Sequence, residues 1–486
     1  MTRTSRHTDL PLLLALLPLA VLLATIAGGV ALSGFGGEIL IVAMALAALS
    51  AGLIARSRGT GWADIQAAAG AKIADVLPAI LILLSIGVLL GAWMFSGTIP
   101  LMVVTGIALI DPGYIVLTAF IGTALMSIMT GTSWGSAGTL GVAFIATAEA
   151  MGLPLAPVAG AIVSGAYFGD KLSPLSDTTN VAAIAAHVPV FSHIRHMLWT
   201  AVPSFILATL IYALIGLLGS GGDAATPQTA QATSSALAGL FRLDALALLP
   251  VALAIGGIAF RQPPALVILA SSVLALILGI TVQGWAASDA VRVVMGGFDV
   301  SMTGTAPDTL PATLPGLLNR GGLASMGQTL IFIITAFVLA GAMETSGALA
   351  RLMQALLSAV RSTFSLVAAT LAAGATFVAV TSHAGVTALI VGELFRPAYR
   401  NRGLAGENLS RSIEDSVTLV EPLLPWTVSA LFMATTLGVP TLAYAPWALF
   451  CLGGPVFSLL IAALAGRTGW GIRSSEAEAA QQPPLP

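Results

Sequence analysis

Gly165-Ala-Tyr-Phe-Gly-Asp-Lys-Leu-Ser-Pro-Leu-Ser-Asp-Thr-Thr-Asn180 decides the reading of this chain. Apolar residues precede it from Leu153 to Val163, and a second apolar run, Val181 to Ala186, follows. Between them stand Asp170, Lys171, Ser173, Ser176, Asp177, Thr178, Thr179 and Asn180, a dense set of oxygen ligands with two carboxylates. Polar backbone and ionisable groups at membrane depth are expensive, and they persist where they line a cavity or are buried in protein. Pro174 breaks the helix there and frees backbone carbonyls. The stretch reads as a broken or re-entrant segment that binds a small cation.

Composition sets the surroundings. The chain has 486 residues, 57% hydrophobic and 8% charged, with a mean hydropathy of +0.97. Soluble domains carry about 25% charged residues, so this is an all-α polytopic membrane protein. A net charge of −2 gives no reason to expect a nucleic-acid partner. The single cysteine, Cys451, cannot form an intramolecular disulfide, and no Cys/His cluster has metal-ligand spacing. No nucleophile–base pattern suggests an enzyme, and no cofactor is expected.

Along the chain, residues 1–9 read as a cytoplasmic tail and 10–218 as a first transmembrane repeat. Residues 219–241 read as an external linker rich in Gly, Ser, Thr, Ala and Gln. Residues 242–466 make a second repeat, and 467–486 a disordered tail. Apolar pieces at 98–110, 114–130, 138–150 and 153–168 include several too short to cross about 30 Å of hydrocarbon, and they suit half-helices and hairpins. The Lys/Arg bias puts the N-terminus, Arg56–Lys72, Arg195, Arg261, Arg351, Arg361 and Arg396–Arg411 in the cytoplasm. Arg292 and Arg320 fall outside that count and are assigned to short external helices.

An internal repeat runs through the chain. Gly91-Ala-Trp-Met-Phe-Ser-Gly97 resembles Gly341-Ala-Met-Glu-Thr-Ser-Gly347, and the same offset of 250 (341 − 91) pairs Gly135 with Gly385 and Thr132 with Ser382. The charge bias runs the two matching spans in opposite directions, the signature of inverted-topology repeats. On this reading Glu414-Asp-Ser416, followed by Thr418, Glu421 and Pro422, is the counterpart of Asp170–Asn180. Two Pro-broken segments would then meet near the bilayer midplane.

Asp170 and Asp177 are the first candidates for holding Na+, because two carboxylates at one site suit a group that takes either a cation or a proton. Thr132 and Ser133 offer hydroxyl oxygens beside Gly131, where backbone can open. Glu149 reads as an interfacial residue. Glu344 lies inside an apolar span and is a secondary candidate with His383 and Glu414. Lys171 is expected to neutralise one carboxylate. Trp134, Trp426 and Trp447 read as interfacial anchors.

Taken together, the sequences GTSWGSAGTLGVAFIATAEAMGLPLA, AGAIVSGAYFGDKLSPLSDTTN, HIRHMLWT, NRGGLASM, NLSRSIEDSVTL, PLLPW and LGVPTLAYAP resemble the NhaC family of sodium/proton antiporters. The resemblance covers most of residues 10–465. It implies inverted repeats with two hairpins in a homodimer of the bacterial inner membrane, with Na+ and H+ as substrates. It carries a cation- or proton-binding role onto Asp170, Ser173, Asp177, Thr178 and Asn180, and in the second half onto Glu414, Asp415 and Pro425. The chain departs from the family where His383 replaces an acidic residue and Glu421 replaces a small polar one. A His383–Glu421 pair is one expectation from that exchange; separate solvation of the two is the other. The function expected is exchange of cytoplasmic Na+ for external H+. The alternative is Na+-coupled transport of a small carboxylate or amino acid, a class the family also contains.

Overall fold

The structure is a computed structural model that describes residues 10–33, 37–219, 227–306, 309–311 and 314–475. The expected tail 1–9, the start of the linker and the end of the chain from 476 lie outside the described residues. The described residues form helices and loops, with two isolated β-bridges.

Four helices open the chain: α1 (Leu12–Ser33), α2 (Gly37–Ser57), α3 (Trp62–Asp75) and α4 (Leu77–Phe95). Gly97, in a left-handed conformation, turns the chain into a short α5 (Thr98–Leu109). A hairpin follows, made of α6 (Ile115–Thr130) and the return helix α7 (Ser133–Ser136), which continues through a π turn into α8 (Val142–Ala150). Next come α9 (Leu155–Leu172), a break, α10 (Asp177–Ala186), and the long α11 (Val190–Gly219).

The second half begins with α12 (Pro227–Leu240), so most of the expected linker is helical. It continues with α13 (Leu249–Ala259), α14 (Pro264–Leu278), α15 (Ala287–Gly296), α16 (Leu314–Leu318), α17 (Gly327–Ser346) and α18 (Ala348–Ser358). The second hairpin is α19 (Thr363–Thr381) and α20 (Ala384–Asn401). Then α21 (Gly406–Ile413) and a π turn lead to a break and α22 (Val428–Leu437). Last are α23 (Thr441–Tyr444) and α24 (Leu449–Thr468). Among the described residues, eight helices are long and apolar enough to cross a membrane, and three bent pairs pass the same test.

Backbone conformation makes the repeat physical. Gly97 and Gly347 are both left-handed, 250 residues apart (347 − 97). From the hairpins onward the spacing is 251 (382 − 131): Gly131 and Ser382, Gly152 and Gly403, and His187 and Gly438 are all left-handed pairs. Two of those eight positions, His187 and Ser382, are not glycine, yet they adopt φ values that side chains seldom adopt, so the turn geometry outweighs local preference. Thr132 (φ −147, ψ 125) and His383 (φ −145, ψ 126) share one conformation. The sequence-based pairing of Thr132 with Ser382 is therefore one residue out of register.

The halves are interlaced. The first-half helices α2 and α3 pack on the second-half α17, while α14 and α15 pack on α4. Likewise α10 packs on α20, and α22 on the π turn before α8. Such reciprocal exchange is the relation of a two-fold axis. Small residues permit the closest approaches, as expected where hydrocarbon gives helices little reason to associate. A Cβ at Gly165 would lie 2.2 Å from both Phe120 O and Thr123 Oγ1, so α6 and α9 touch backbone to backbone. Ser127 Oγ donates to Ala166 O at 2.6 Å across the same seam.

Residues 469–475 fold back against the core, in contrast to the disordered tail expected from 467. Arg473 N–H donates to Asn408 Oδ1 at 3.0 Å, and its guanidinium pairs with Glu407 at 2.8 Å. Trp134 and Trp426 are also displaced from the expected interfacial role. Trp134 stacks on Phe432 at 4.2 Å between ring centres, and the buried Trp426 donates to Ala379 O at 2.7 Å.

Candidate functional site

Four helix ends converge on the Asp170 break. Helix α9 stops at Ser173, where the chain becomes extended ahead of Pro174. Helix α10 starts at Asp177 because Ser176 caps it, its hydroxyl accepting from Thr179 N–H at 3.4 Å. Thr179 Oγ1 donates to Lys171 O at 3.1 Å and ties the two half-helices together. Asn180 Nδ2 donates to Pro174 O at 3.0 Å and Ser176 O at 2.6 Å, which pins the connecting turn to the start of α10. From the hairpin, Thr132 caps the return helix, and Ser133 is its first residue.

Asp170 is buried, in the last turn of α9. Its Oδ2 accepts from Ser133 Oγ at 2.8 Å, and the carboxylate also faces the Ser133 N–H and the Ser176 hydroxyl. Among the described residues its Oδ1 has no partner. Ser173 is buried alongside and donates to Ile128 O at 3.2 Å. Asp177 is exposed, at the first position of α10, with Thr178 N–H donating to its Oδ1 at 3.0 Å. Thr178 Oγ1 lies 3.0 Å from Ser176 Oγ. Asp170, Ser173, Ser176, Asp177, Thr178, Thr132 and Ser133 thus share one break, with a positive half-helix end aimed at Asp170.

The second break repeats this plan with Glu421. It is buried and faces the N–H of Ala384, the first residue of the second return helix, together with the Ser429 hydroxyl and N–H. At the repeat spacing of 251, Ala384 stands where Ser133 does and Glu421 where Asp170 does (421 − 170). Thr427, the equivalent of Ser176, caps α22 by accepting from Ala430 N–H at 3.3 Å. Asp177 lies within electrostatic reach of Glu421, so the two breaks adjoin.

Glu414 and Asp415 are therefore not the counterparts of Asp170 and Asp177. They lie in the π turn before the break, and the position matching Asp415 is Ser164 (415 − 251). Asp415 forms an ion pair with Lys171, both wholly buried, and its Oδ1 also accepts from Thr200 Oγ1 at 3.2 Å. Lys171 does neutralise a carboxylate, but one from the other half of the chain. Glu414 is fully buried nearby, with Thr418 beside it and Lys171 within electrostatic reach.

Two secondary candidates stand elsewhere. Glu344 is 53% exposed at the end of α17 and pairs with Lys72 at 2.8 Å. His383 occupies the position of Thr132, with an unpartnered Nδ1 and Asp177 and Asp75 as the carboxylates within reach. Among the described residues no hydrogen bond or ion pair joins His383 to Glu421. The N–H that serves Glu421 comes from the next residue, Ala384.

Two buried groups escape a reading by motif. His193 lies beneath Lys171 with both ring nitrogens unpartnered. Arg411, which the sequence groups with a basic loop, is wholly buried and donates to Gly471 O at 2.5 Å. All of α21 from Glu407 to Ile413 is buried, and Arg411 stands on the opposite face from Leu409 and Ile413, so no amphipathic pattern announced it.

A buried carboxylate with one open oxygen, ringed by hydroxyls and a half-helix end, can hold a small hard cation or a proton, but not both at once. The family model described as "Na+/H+ antiporter family" matches residues 165–466. An uncharacterized Na+/H+ antiporter of Haemophilus influenzae is 42% identical, over 97% of this chain and 99% of its own. The Na+/H+ antiporter NhaC of Alkalihalophilus pseudofirmus is 36% identical, over 85% and 87%. A malate-2H+/Na+-lactate antiporter of Bacillus subtilis is 33% identical, over 80% and 81%.

Proposed function

We propose, from the premise that the chain belongs to the Na+/H+ antiporter family, that it carries cytoplasmic Na+ outward in exchange for external H+ across a bacterial inner membrane. The Lys/Arg bias supports a cytoplasmic N-terminus and places α5, α12, α15 and α16 outside and α3 and α18 inside, so the two repeats run in opposite directions. Apolar side chains exposed on α1, such as Leu13 and Leu23, leave a face for lipid or for a second copy in a homodimer.

The observation that carries the reading is Asp170: buried, ionisable, held by Ser133, and with its other oxygen unpartnered among the described residues. Na+ binds there when Asp170 is ionised, with hydroxyl and carbonyl oxygens completing its shell. Protonation of the same carboxylate removes the charge that holds the ion. Exchange follows because one group serves both substrates. Glu421 supplies the matching position in the other repeat.

The malate/lactate relative makes organic-acid coupling the competing reading. A carboxylate substrate needs an uncommitted cation at the site, and Lys171 is engaged by Asp415. The deciding experiment is purified protein in liposomes holding a pH-sensitive dye. Proton movement on adding Na+ alone supports the proposal. Movement that requires malate, lactate or an amino acid would replace it.

A further inference from the structure

The two repeats are equivalent in sequence position but not in packing. In the first, α5 lies along α8: a Cβ at Gly106 would come within 2.5 Å of Thr147 Oγ1, and Pro100, Val103 and Ala143 are buried. The equivalent helices of the second repeat are α18 and α20. Between them opens a cavity of about 520 Å³, lined by Met353, Leu357, Ile390 and Leu394 among others. The positions matching buried Pro100 and Ala143 are Ala350 and Leu394, and both are exposed. The cavity runs from the Lys72–Glu344 pair to Thr381, the residue before the left-handed turn of the second hairpin.

The closed interface also carries a fastening that the open one lacks. Arg320 donates to Glu149 Oε2 at 2.5 Å, with both side chains partly buried. Glu149 ends α8, on the hairpin. Arg320 belongs to the segment ahead of α17, which is anchored to α4: Gly322 N–H donates to Gly87 O at 2.6 Å, and Arg320 bridges to Phe298. The ion pair therefore joins a hairpin to the helices around α4. The residue matching Glu149 in the second repeat is Arg400 (149 + 251), exposed on α20. Among the described residues no ion pair joins α20 to α17 or α18.

We infer that the structure is one of two alternating states, open on the α18 side, and that the Glu149–Arg320 pair is the latch that holds the α5 side shut. In the opposite state α18 closes on α20, the α5–α8 seam parts, and the latch breaks. Glu149 and Arg320 are thus positioning residues for transport, remote from the bound ion. The inference rests on the antiport reading for its purpose but not for its test, which reads conformation without an ion gradient.

The test uses the full-length protein in liposomes. Thr147→Cys reports on the α5–α8 seam through labelling by a membrane-impermeant maleimide. A Leu357→Cys/Leu394→Cys pair reports on the cavity through a short thiol cross-linker, and the native Cys451 is buried. Adding Glu149→Gln should speed labelling at position 147 roughly tenfold and raise cross-linking across the cavity, the order expected when one charge-assisted contact leaves a two-state balance. The exchanged pair Glu149→Arg/Arg320→Glu should return both signals toward the starting values. Unchanged labelling and cross-linking in Glu149→Gln would overturn the latch, as would failure of the exchanged pair in protein that folds and elutes normally. Loss of Na+/H+ exchange with the conformational signals intact would instead count against the proposed function alone.

Discussion

Asp170 and Glu421 hold the same place in two repeats, each carboxylate facing the first N–H of a hairpin's return helix, Ser133 in one half and Ala384 in the other. The site is thus two half-sites related by the fold's own symmetry. They are not identical. Asp170 has the hydroxyl of Ser133 where Glu421 has the methyl of Ala384, and a glutamate reaches one methylene further.

That difference predicts unequal roles. Asp170→Asn should reduce Na+-driven proton movement by on the order of a thousandfold, the scale of removing one unit charge about 4 Å from the ion at an effective dielectric of ~20. Asp177→Asn, at an exposed helix start, should mainly raise the Na+ concentration for half-maximal exchange, by about tenfold. Dye-loaded liposomes at several Na+ concentrations measure both. Full exchange in Asp170→Asn would remove it from the ion path.

Lys171 and Asp415 predict a stability effect separable from transport. Either Lys171→Ala or Asp415→Ala leaves a buried charge uncompensated, which costs about 3–5 kcal/mol. Replacing both with Met and Leu should recover much of that loss. Melting temperature in detergent, followed by intrinsic fluorescence, checks it. Single replacements as stable as the parent would mean the pair is already hydrated.

His383 and Glu421 should behave independently. Among the described residues no hydrogen bond or ion pair joins them, so the effects of His383→Asn and Glu421→Gln on the pH dependence of exchange should add to within about 0.5 kcal/mol. A larger coupling energy in the four-variant cycle would restore the pairing expected from the sequence.

Gly165→Ala tests the α6–α9 seam. The added methyl meets Phe120 O and Thr123 Oγ1 at 2.2 Å, and backbone cannot swing aside as a side chain can. Overpacking of this kind costs about 1–3 kcal/mol or more. Yield of monodisperse protein should fall sharply, whereas Gly256→Ala, with open space around its Cβ, should leave it unchanged.

Much of this architecture was legible in the chain. Pro174 between Ser173 and Ser176 marked the first break because proline and cap-forming serines act locally. The repeat was visible through Gly97 and Gly347. The expected second segment included Glu421, but its register against Asp170 was left open because acidic residues, rather than backbone turns, guided the pairing. Glu414 and Asp415 drew attention seven residues or so early, and the spacing shifts from 250 to 251 between α5 and the hairpin. That shift shows in the backbone turns, first at Gly131 and Ser382. Lys171 and Asp415 are 244 residues apart, and no local pattern announces a contact at that range. Glu344 looked internal because its run is apolar, while its partner Lys72 comes from a separate helix that ends beside it.

The interlacing of the halves bears on how the protein is made. A ribosome delivers α4 long before α14 and α15 exist to cover it, and α2 and α3 wait still longer for α17. During that interval the early helices sit in the bilayer with their glycine-rich faces, such as Gly87 and Gly91, turned toward lipid or toward the insertion machinery. The amino-terminal half made alone should therefore be captured by membrane quality-control proteases. The same half synthesised beside a separately encoded carboxyl-terminal half should survive, because each fragment carries the missing surface of the other.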